Sequence, residues 1–233
     1  MKILVINPGS TSTKIAVYEN DTPRLVRNIR HTVDDLSSFS HIIDQFEFRK
    51  NLVLKELEAD NIPFEFDAIV GRGGLLKPIP GGVYEVNDAM LDDILHAMRT
   101  HACNLGCLIA SELAALLPGC RAFIVDPGVV DELDEIARIT GSPLMPRITI
   151  WHALNHAPLP ADMRPHSMSG MKPGSDCLSL GRGISVGVHH HGKAVDVIMR
   201  LTARTRFAGA CGDTSGRTVD RPLLLRPLHK RRT

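Results

Sequence analysis

Two short apolar runs open the chain and predict a β-hairpin. Residues 2–6 (KILVI) and 13–19 (TKIAVYE) are each typical of a strand, and the stretch 7–14 that leads from one to the other is rich in hydroxyl groups and ends on a lysine. A simple turn needs only a glycine or an asparagine. The extra hydroxyl groups therefore raise the question of what this connection binds.

The following hundred residues alternate between helical and strand patterns. Apolar spacing predicts helices in 33–60, in 87–117 with a break near 101–104, and in 131–141, together with buried strands at 68–70 and 121–125. Asp34 or Asp35 is expected to cap the first helix, and Gly141 is the candidate C-cap of the last. This alternation predicts an α/β layered domain.

Composition narrows the class of protein only slightly. The 233 residues suit one large domain or two small ones, and a net charge of +1 gives no overall field that would attract nucleic acid or an acidic membrane. Five cysteines at irregular spacing fit a reducing compartment. The five-residue apolar start is too short for a signal peptide, and no apolar run approaches the roughly 20 residues of a membrane helix. We therefore expect a cytoplasmic protein.

The hairpin connection is the first candidate site. Gly9, the hydroxyl groups of Ser10 and Ser12, and the ammonium of Lys14 could converge on one anion, for which phosphate is the obvious guest. A polar hairpin with an uninvolved lysine explains the same residues equally well.

Two further candidates follow buried strands. Arg72 lies between glycines, which would leave its planar guanidinium free to meet a carboxylate or phosphate, although an exposed turn arginine is the simpler interpretation. Asp126 ends the strand 121–125, where ligand sites of open α/β sheets lie. It could position Mg²⁺ or simply form a turn before proline.

Histidines and glycines supply the remaining candidates. His101 and His152 each precede an asparagine by three residues, and each is more often structural than catalytic. Gly181 and Gly183 precede a predicted strand and could hold a second phosphate. The histidines at 189–191 are expected to form a solvated hairpin tip rather than a metal site, because successive strand residues point to opposite faces.

Taken in order, these stretches resemble the butyrate kinases of the acetokinase family, within the actin/hexokinase-like phosphotransferases. The resemblance rests on NPGSTSTK, GRGGLLKPIPGGVYEV, HACNLG, FIVDPGVVDELDEIARITG, WHALNH and LGRGISVGVHHHGKAVDV. It implies an α/β, actin-like (ribonuclease-H-like) first lobe over residues 1–197, with most of the second lobe missing. It also implies phosphorylation of a short-chain carboxylate such as butyrate by ATP and Mg²⁺, no nucleic-acid or membrane partner, and a homo-oligomer for an intact member.

The resemblance also implies a role for each candidate residue. Asn7, Ser10, Ser12, Lys14, Gly181 and Gly183 would contact phosphate, Arg72 and His101 the carboxylate and phosphoryl group, Asp126 the metal and phosphoryl centre, and His152 the transferring group.

The chain also departs from the family pattern. Arg182 replaces a glycine of the family's second phosphate motif, and residues 157–180 and the basic segment 198–233 do not resemble the family. One coding of the family's Asn-Asn-Ala-Leu-Asp-Gly-Glu, read one base out of frame, gives residues 198–204, and a similar shift gives 158–164. These segments are thus interpreted as out-of-frame text, and the tail is expected to be disordered.

Three functions remain open. A butyrate-kinase-like phosphotransferase leads, but the altered segments are expected to leave the chain poorly stable and without turnover. An inactive remnant that at most binds phosphate or a carboxylate is the alternative. A nucleic-acid-binding tail is disfavoured because 198–233 contains only Phe207 for base stacking.

Overall fold

The predicted hairpin forms the centre of a six-stranded sheet. The computed structural model describes residues 1–97, 99–140, 142, 144, 146–156, 176–179, 184–190 and 193–200. Strands β1 (Lys2–Gly9) and β2 (Ser12–Glu19) pair antiparallel, with Asn7 opposite Lys14 and Gly9 opposite Ser12. Most of the stretch 7–14 is therefore strand, and the connection itself is a two-residue turn.

The sheet combines an antiparallel half with a parallel half. Its strand order is β3-β2-β1-β4-β6-β5, with β3 at Thr22–Arg30, β4 at Ala68–Arg72, β5 at Val83–Glu85 and β6 at Arg121–Val125. Strands β1, β4 and β6 are parallel neighbours. Their carboxyl ends consequently meet at one edge of the sheet, which is where α/β proteins place their ligands.

The helices confirm the predicted pattern only in part. Helices α3 (Asp88–Leu95) and α4 (Asn104–Ala115) confirm the pair in 87–117 and its break. The helix predicted over 33–60 is interrupted: α1 covers Val33–Ser37, a 3₁₀ turn covers Ile43–Gln45 and α2 covers Phe46–Ala59. The N-cap of α1 is Thr32, not an aspartate, and Asp35 completes a capping box with it.

The main core lies between this sheet and helices α2 and α4. It is built from Leu4, Ile6, Ile15, Val17, Leu25, Val53, Leu57, Phe66, Ile69, Leu105, Ile109, Ala110, Leu113, Ala114 and Ala122. Alternate residues of β1 and β2 point into it, so the intervening residues of both strands lie on the opposite face. That alternation decides which side chains of the hairpin reach the site.

The helix predicted over 131–141 is wrong. Among the described residues of this stretch a 3₁₀ turn forms at Glu135–Arg138, because the backbone before it bonds to distant elements. The Asp131 amide donates to the Ile79 carbonyl at 3.0 Å, and the Asp134 amide donates to the Val195 carbonyl at 2.9 Å. The proposed cap Gly141 lies outside the described residues.

A second, three-stranded antiparallel sheet follows a short helix. Helix α5 spans Ala153–His156, and strands β7 (Asp176–Ser179), β8 (Ile184–His190) and β9 (Lys193–Arg200) pair in sequence order. Strand β9 extends past the expected family boundary at 197. Most of the segment 157–180 and residues 201–233 lie outside the described residues.

Candidate active site

Arg72 is the centre of the candidate site. It is the last residue of β4, half-buried, and its Nη1 donates a hydrogen bond to Asn7 Oδ1 on β1 at 3.4 Å. Asp126 is the first residue after β6, the strand that pairs parallel with β4. The sheet thus brings three of the residues singled out from the sequence to one edge.

The hairpin presents its hydroxyl and ammonium groups on the face that carries Asn7. Asn7 and Lys14 are opposite each other in the antiparallel register, and directly paired residues project to the same face. Ser12 lies two residues before Lys14 and shares that face, whereas Thr13 points into the core. Ser10 is exposed in the turn. The arrangement gives an anion one cation and several possible donors from the hairpin.

The glycines around Arg72 serve close packing rather than the freedom of its side chain. A Cβ on Gly71 would lie 2.1 Å from the Gly106 carbonyl oxygen, and one on Gly73 would lie 2.6 Å from Pro127 Cβ. Both contacts are too close for any side chain. The glycines therefore bring the start of α4 and the residues after β6 against the end of β4.

Asn104 fixes the loop that leaves Arg72. Its side-chain Oδ1 accepts a hydrogen bond from the Leu75 amide at 3.0 Å, and a Cβ on Gly74 would lie 2.8 Å from Asn104 Cα. Asn104 is buried at the first turn of α4. It acts as a structural residue that positions the end of β4.

His101 and His152 lie close enough to Arg72 for its charge to lower the pKa of both rings. Partial desolvation lowers each pKa first, and the Arg72 guanidinium lowers it further. The His101 residue is exposed overall, yet the protein atoms around its ring partly desolvate it. Its Nδ1 accepts from the Cys103 amide at 3.2 Å, which leaves Nε2 to carry the proton.

Asp126 is held in an unusual backbone conformation. Its φ of 36° places a non-glycine residue in the left-handed region, and its Oδ1 accepts from the Gly82 amide at 2.8 Å. Burial raises the pKa of the carboxyl, the Gly82 hydrogen bond opposes this rise, and the nearby Glu132 adds to it. A cation bound at this carboxylate would offset the cost of burying its charge.

Asp126 offers a metal one carboxylate at this edge. Among the described residues no group of three His, Cys, Asp or Glu side chains is arranged to hold a metal ion. Mg²⁺ is often bound through one or two carboxylates, with water and substrate phosphates completing its shell. Asp126 suits that role, as the only residue that the sequence singled out for a metal.

Arg49 was missed from the sequence although it lies directly beneath the hairpin. It is fully buried on α2; its Nη1 donates to the Ser12 carbonyl at 3.1 Å and to Thr13 Oγ1 at 2.9 Å, and its Nε and Nη2 donate to Gln45 Oε1. Burial lowers its pKa to about 10, so the guanidinium stays charged near neutral pH. Its position four residues before the buried Val53 was the available signal.

A buried histidine cluster behind His152 was also missed. His152 Nδ1 lies 3.1 Å from Ser185 Oγ, and His156 Nε2 lies 2.9 Å from the same oxygen. His189 is not part of a solvated tip as expected, because its ring stacks on His156 at a centroid distance of 5.7 Å. Gly181 and Gly183, the expected second phosphate site, lie outside the described residues.

Solved structures define the class of this fold. The chain matches the crystal structures of a propionate kinase from Francisella tularensis (TM-score 0.52) and an acetate kinase from Porphyromonas gingivalis (TM-score 0.54). Each is 18% identical in sequence, and each match covers 86% of this chain and 58% of the other. The fold is therefore the α/β, actin-like fold of the acetate and propionate kinases, as predicted.

Sequence relatives identify the family. A probable butyrate kinase of Bacteroides thetaiotaomicron is 62% identical over 223 residues, which cover 94% of this chain. A probable butyrate kinase of Phocaeicola vulgatus is 48% identical and butyrate kinase 2 of Clostridium acetobutylicum is 45% identical, each over 89% of this chain. No family model matches. The chain belongs to the acetokinase family, with butyrate kinases as its relatives.

The chain spans about three fifths of the length of these relatives, with 63%, 59% and 59% of their lengths covered. In the described part of the chain, no helix is both long and apolar enough to cross a membrane.

Proposed function

We propose that this chain supplies the carboxylate and phosphoryl half of a kinase site that transfers phosphate from ATP to a short-chain carboxylate, with butyrate as the first substrate to test. The observation that supports it is the cluster around Arg72, bonded to Asn7 and flanked by His101 and His152 at the carboxyl edge of the parallel strands. The relatives named as butyrate kinases favour this substrate.

Positioning and charge neutralisation are most of what this chemistry requires. A carboxylate is already a nucleophile, and the transferring phosphoryl group spreads negative charge over its oxygens. Arg72 would hold the acid and that group together, and His101 and His152 would donate hydrogen bonds to the oxygens. The phosphate would be contacted from the hairpin by Asn7, Ser10, Ser12 and Lys14. Gly181 and Gly183, which lie outside the described residues, would contact it as well. Asp126 would hold Mg²⁺, which neutralises phosphate charge when bound. We propose further that the protein is cytoplasmic and forms a homo-oligomer.

A second candidate is a chain that binds the anion without turning it over. Arg182 stands where the family's second phosphate motif has a glycine, and a bulky cation there hinders a close backbone approach to phosphate. Binding of phosphate or butyrate through Arg72 would persist in this case.

Acyl phosphate formation tests both candidates. The chain is incubated with butyrate, ATP and Mg²⁺, the product is trapped with hydroxylamine, and phosphate binding is followed by calorimetry. Arg72→Ala is expected to abolish product and to weaken phosphate binding at least tenfold, since a charge-assisted bond contributes about 1.5–3 kcal/mol. The matched control is Arg24→Ala, which removes an exposed arginine of the edge strand β3. Arg24 pairs with Glu19 at the end of β2.

The outcomes separate the candidates. Product that depends on Arg72 supports the kinase, and phosphate binding that depends on Arg72 without product supports the binding-only chain. Equal phosphate binding by the parent chain and Arg72→Ala contradicts both.

A further inference from the structure

Two histidines share one buried hydroxyl group. Ser185 on β8 is fully buried, and its Oγ lies 3.1 Å from His152 Nδ1 and 2.9 Å from His156 Nε2. A serine hydroxyl has one proton to donate and can accept more than one hydrogen bond. It can therefore donate to only one of the two rings, so at least one ring must donate to it.

The surroundings of His156 decide the direction. His156 is 3% exposed, and its buried Nδ1 has no hydrogen-bond partner among the described residues. A Cβ on Gly187 would lie 3.3 Å from this Nδ1, and the rings of His156 and Trp151 pack at an angle of 69° with their centroids 5.0 Å apart. A proton on Nδ1 would be a buried donor without an acceptor, which costs about 1–3 kcal/mol. The His156 proton therefore belongs on Nε2, from which it donates to Ser185.

Both rings are neutral near pH 7, so each carries a single N–H. Burial lowers the pKa of His156 to about 4, the rings of His189 and His152 act in the same direction, and a hydrogen bond with the Ser185 backbone opposes them. Burial and the Arg72 guanidinium lower the pKa of His152. Since Ser185 accepts from His156, its own proton is free to go to His152 Nδ1.

We propose that His156 and Ser185 form a directed hydrogen-bond chain that holds His152 as the Nε2–H tautomer and so makes it a fixed neutral donor for an oxyanion beside Arg72. Ser185 and His156 are positioning residues that act through His152. A neutral donor suits this place because an imidazolium would repel the adjacent guanidinium, whereas an N–H group stabilises an anion without that repulsion. That the oxyanion is a phosphoryl or carboxylate group rests on the proposed function; the tautomer does not.

Long-range ¹H–¹⁵N correlation spectra of the uniformly ¹⁵N-labelled chain at pH 7.5 test the chain of bonds directly. Imidazole nitrogens with and without a proton resonate in separate regions, and the signals are assigned with His152→Asn and His156→Asn. We expect a proton on Nε2 and none on Nδ1 for both rings. Protonated Nδ1 on His152 in the parent chain overturns the proposal without any variant.

A matched pair of variants isolates the hydroxyl group. Ser185→Thr keeps a hydroxyl group. Ser185→Val has nearly the same shape as the threonine variant but no hydroxyl group. We expect the threonine variant to keep the His152 tautomer and the valine variant to give a mixture of both tautomers. Ser111→Ala on α4 serves as the control for losing a hydroxyl elsewhere. The same fixed tautomer in Ser185→Val, with backbone amide spectra showing a folded chain, contradicts the proposal.

Titration with inorganic phosphate separates this inference from the proposed function. If the His152 Nε2 resonance shifts on addition of phosphate, the oxyanion is bound where we place it, and Ser185→Val should weaken that binding in proportion to the lost Nε2–H tautomer, about twofold for an even mixture. A fixed tautomer with no phosphate response supports the hydrogen-bond chain and counts against the proposed ligand.

Discussion

Arg49 keeps a positive charge inside the protein with neutral partners around it. The oxygen atoms that the described residues offer it belong to Gln45, Ser12 and Thr13. A buried cation without a carboxylate is costly unless some other anion offsets its charge. Arg49 bonds directly to the backbone of the hairpin, and its charge lowers the pKa of His101 across the site. An anion bound at this edge would supply the missing negative charge.

Replacing Arg49 should therefore change both stability and the site. Arg49→Met leaves Gln45 Oε1 without its donor, while Thr13 Oγ1 keeps its hydrogen bond with His31 Nε2, so we expect a loss of about 1–3 kcal/mol in the free energy of unfolding by urea. The pKa of His101 should rise toward its ordinary value, because the Arg49 charge that lowers it is gone. Imidazole NMR titration measures this rise. Arg24→Met removes one exposed positive charge and should leave the His101 pKa unchanged; a similar pKa in the parent chain and in Arg49→Met would show that the buried charge does not reach the site.

His156 makes the stability of the chain depend on pH. Its folded-state pKa is about 4, below its ordinary 6.5, so between these values the unfolded chain binds a proton that the folded chain does not. Stability is therefore complete above pH 6.5 and is lost as the pH falls toward 4. A shift of this size corresponds to about 3 kcal/mol. The lowered pKa values of His31, His101 and His152 act in the same direction.

Urea unfolding at pH 7.5 and pH 5 checks this prediction. We expect the parent chain to lose stability on acidification and His156→Gln, which does not titrate, to lose clearly less. His96→Gln on the exposed end of α3 is the control and should behave like the parent chain. An equal loss in the parent chain and in His156→Gln would mean that His156 is not the group responsible.

Helix α4 and strand β4 approach each other so closely that only glycine fits between them. A Cβ on Gly106 would lie 2.5 Å from the Arg72 carbonyl oxygen and 3.2 Å from Pro8 Cδ. The first turn of α4 thus rests on the ends of both strands that carry Arg72 and Asn7. This contact fixes the distance between two elements of the site.

Gly106→Ala should push α4 away from the sheet. Alanine favours a helix by up to about 1 kcal/mol over glycine, but the clash with backbone atoms should outweigh this and leave a net loss of about 1–3 kcal/mol. The shift should also weaken phosphate binding, because Arg72 and Asn7 move with the strand ends. Ser111→Ala, later in α4, should stay within about 0.5 kcal/mol of the parent chain. A Gly106→Ala chain as stable as the parent would show that the helix can shift without cost.

Elements were predictable where the local pattern was complete. The hairpin, β4, β6, α3 and α4 each carry their own apolar periodicity, and the rule that parallel strands end at one edge places Arg72 and Asp126 together. Strand β3 was missed because only Leu25 of its nine residues is buried. The features that depend on long-range contacts were not predictable from local patterns. The Asp134 amide bonds to the Val195 carbonyl, where a helix was predicted, and Ser185 contacts His156, which lies 29 positions away in the sequence.

At the scale of the whole molecule, the sequence analysis predicts that the family resemblance is interrupted at 157–180 and again after 197. The match to the probable butyrate kinase of Bacteroides thetaiotaomicron is 62% identical over 223 residues, 94% of this chain. Our hypothesis is that residues 158–164 and 198–204 are family sequence read one base out of frame, since one possible coding of the family residues gives each of them after such a shift. Free choice among synonymous codons makes one such match easier, but two runs of seven residues are harder to obtain by accident.

We therefore predict that the coding DNA, translated in a neighbouring frame, resembles the butyrate kinases across codons 157–180 and from codon 198 onward. Sequencing the DNA through both stretches measures this directly. Inserted or missing bases that restore one continuous frame would return 157–180 and the segment after 197 to family form, and the acyl phosphate assay should then be run on that chain. If neither neighbouring frame resembles the family, the two segments are this protein's own sequence, and Arg182 is a true departure at its second phosphate motif.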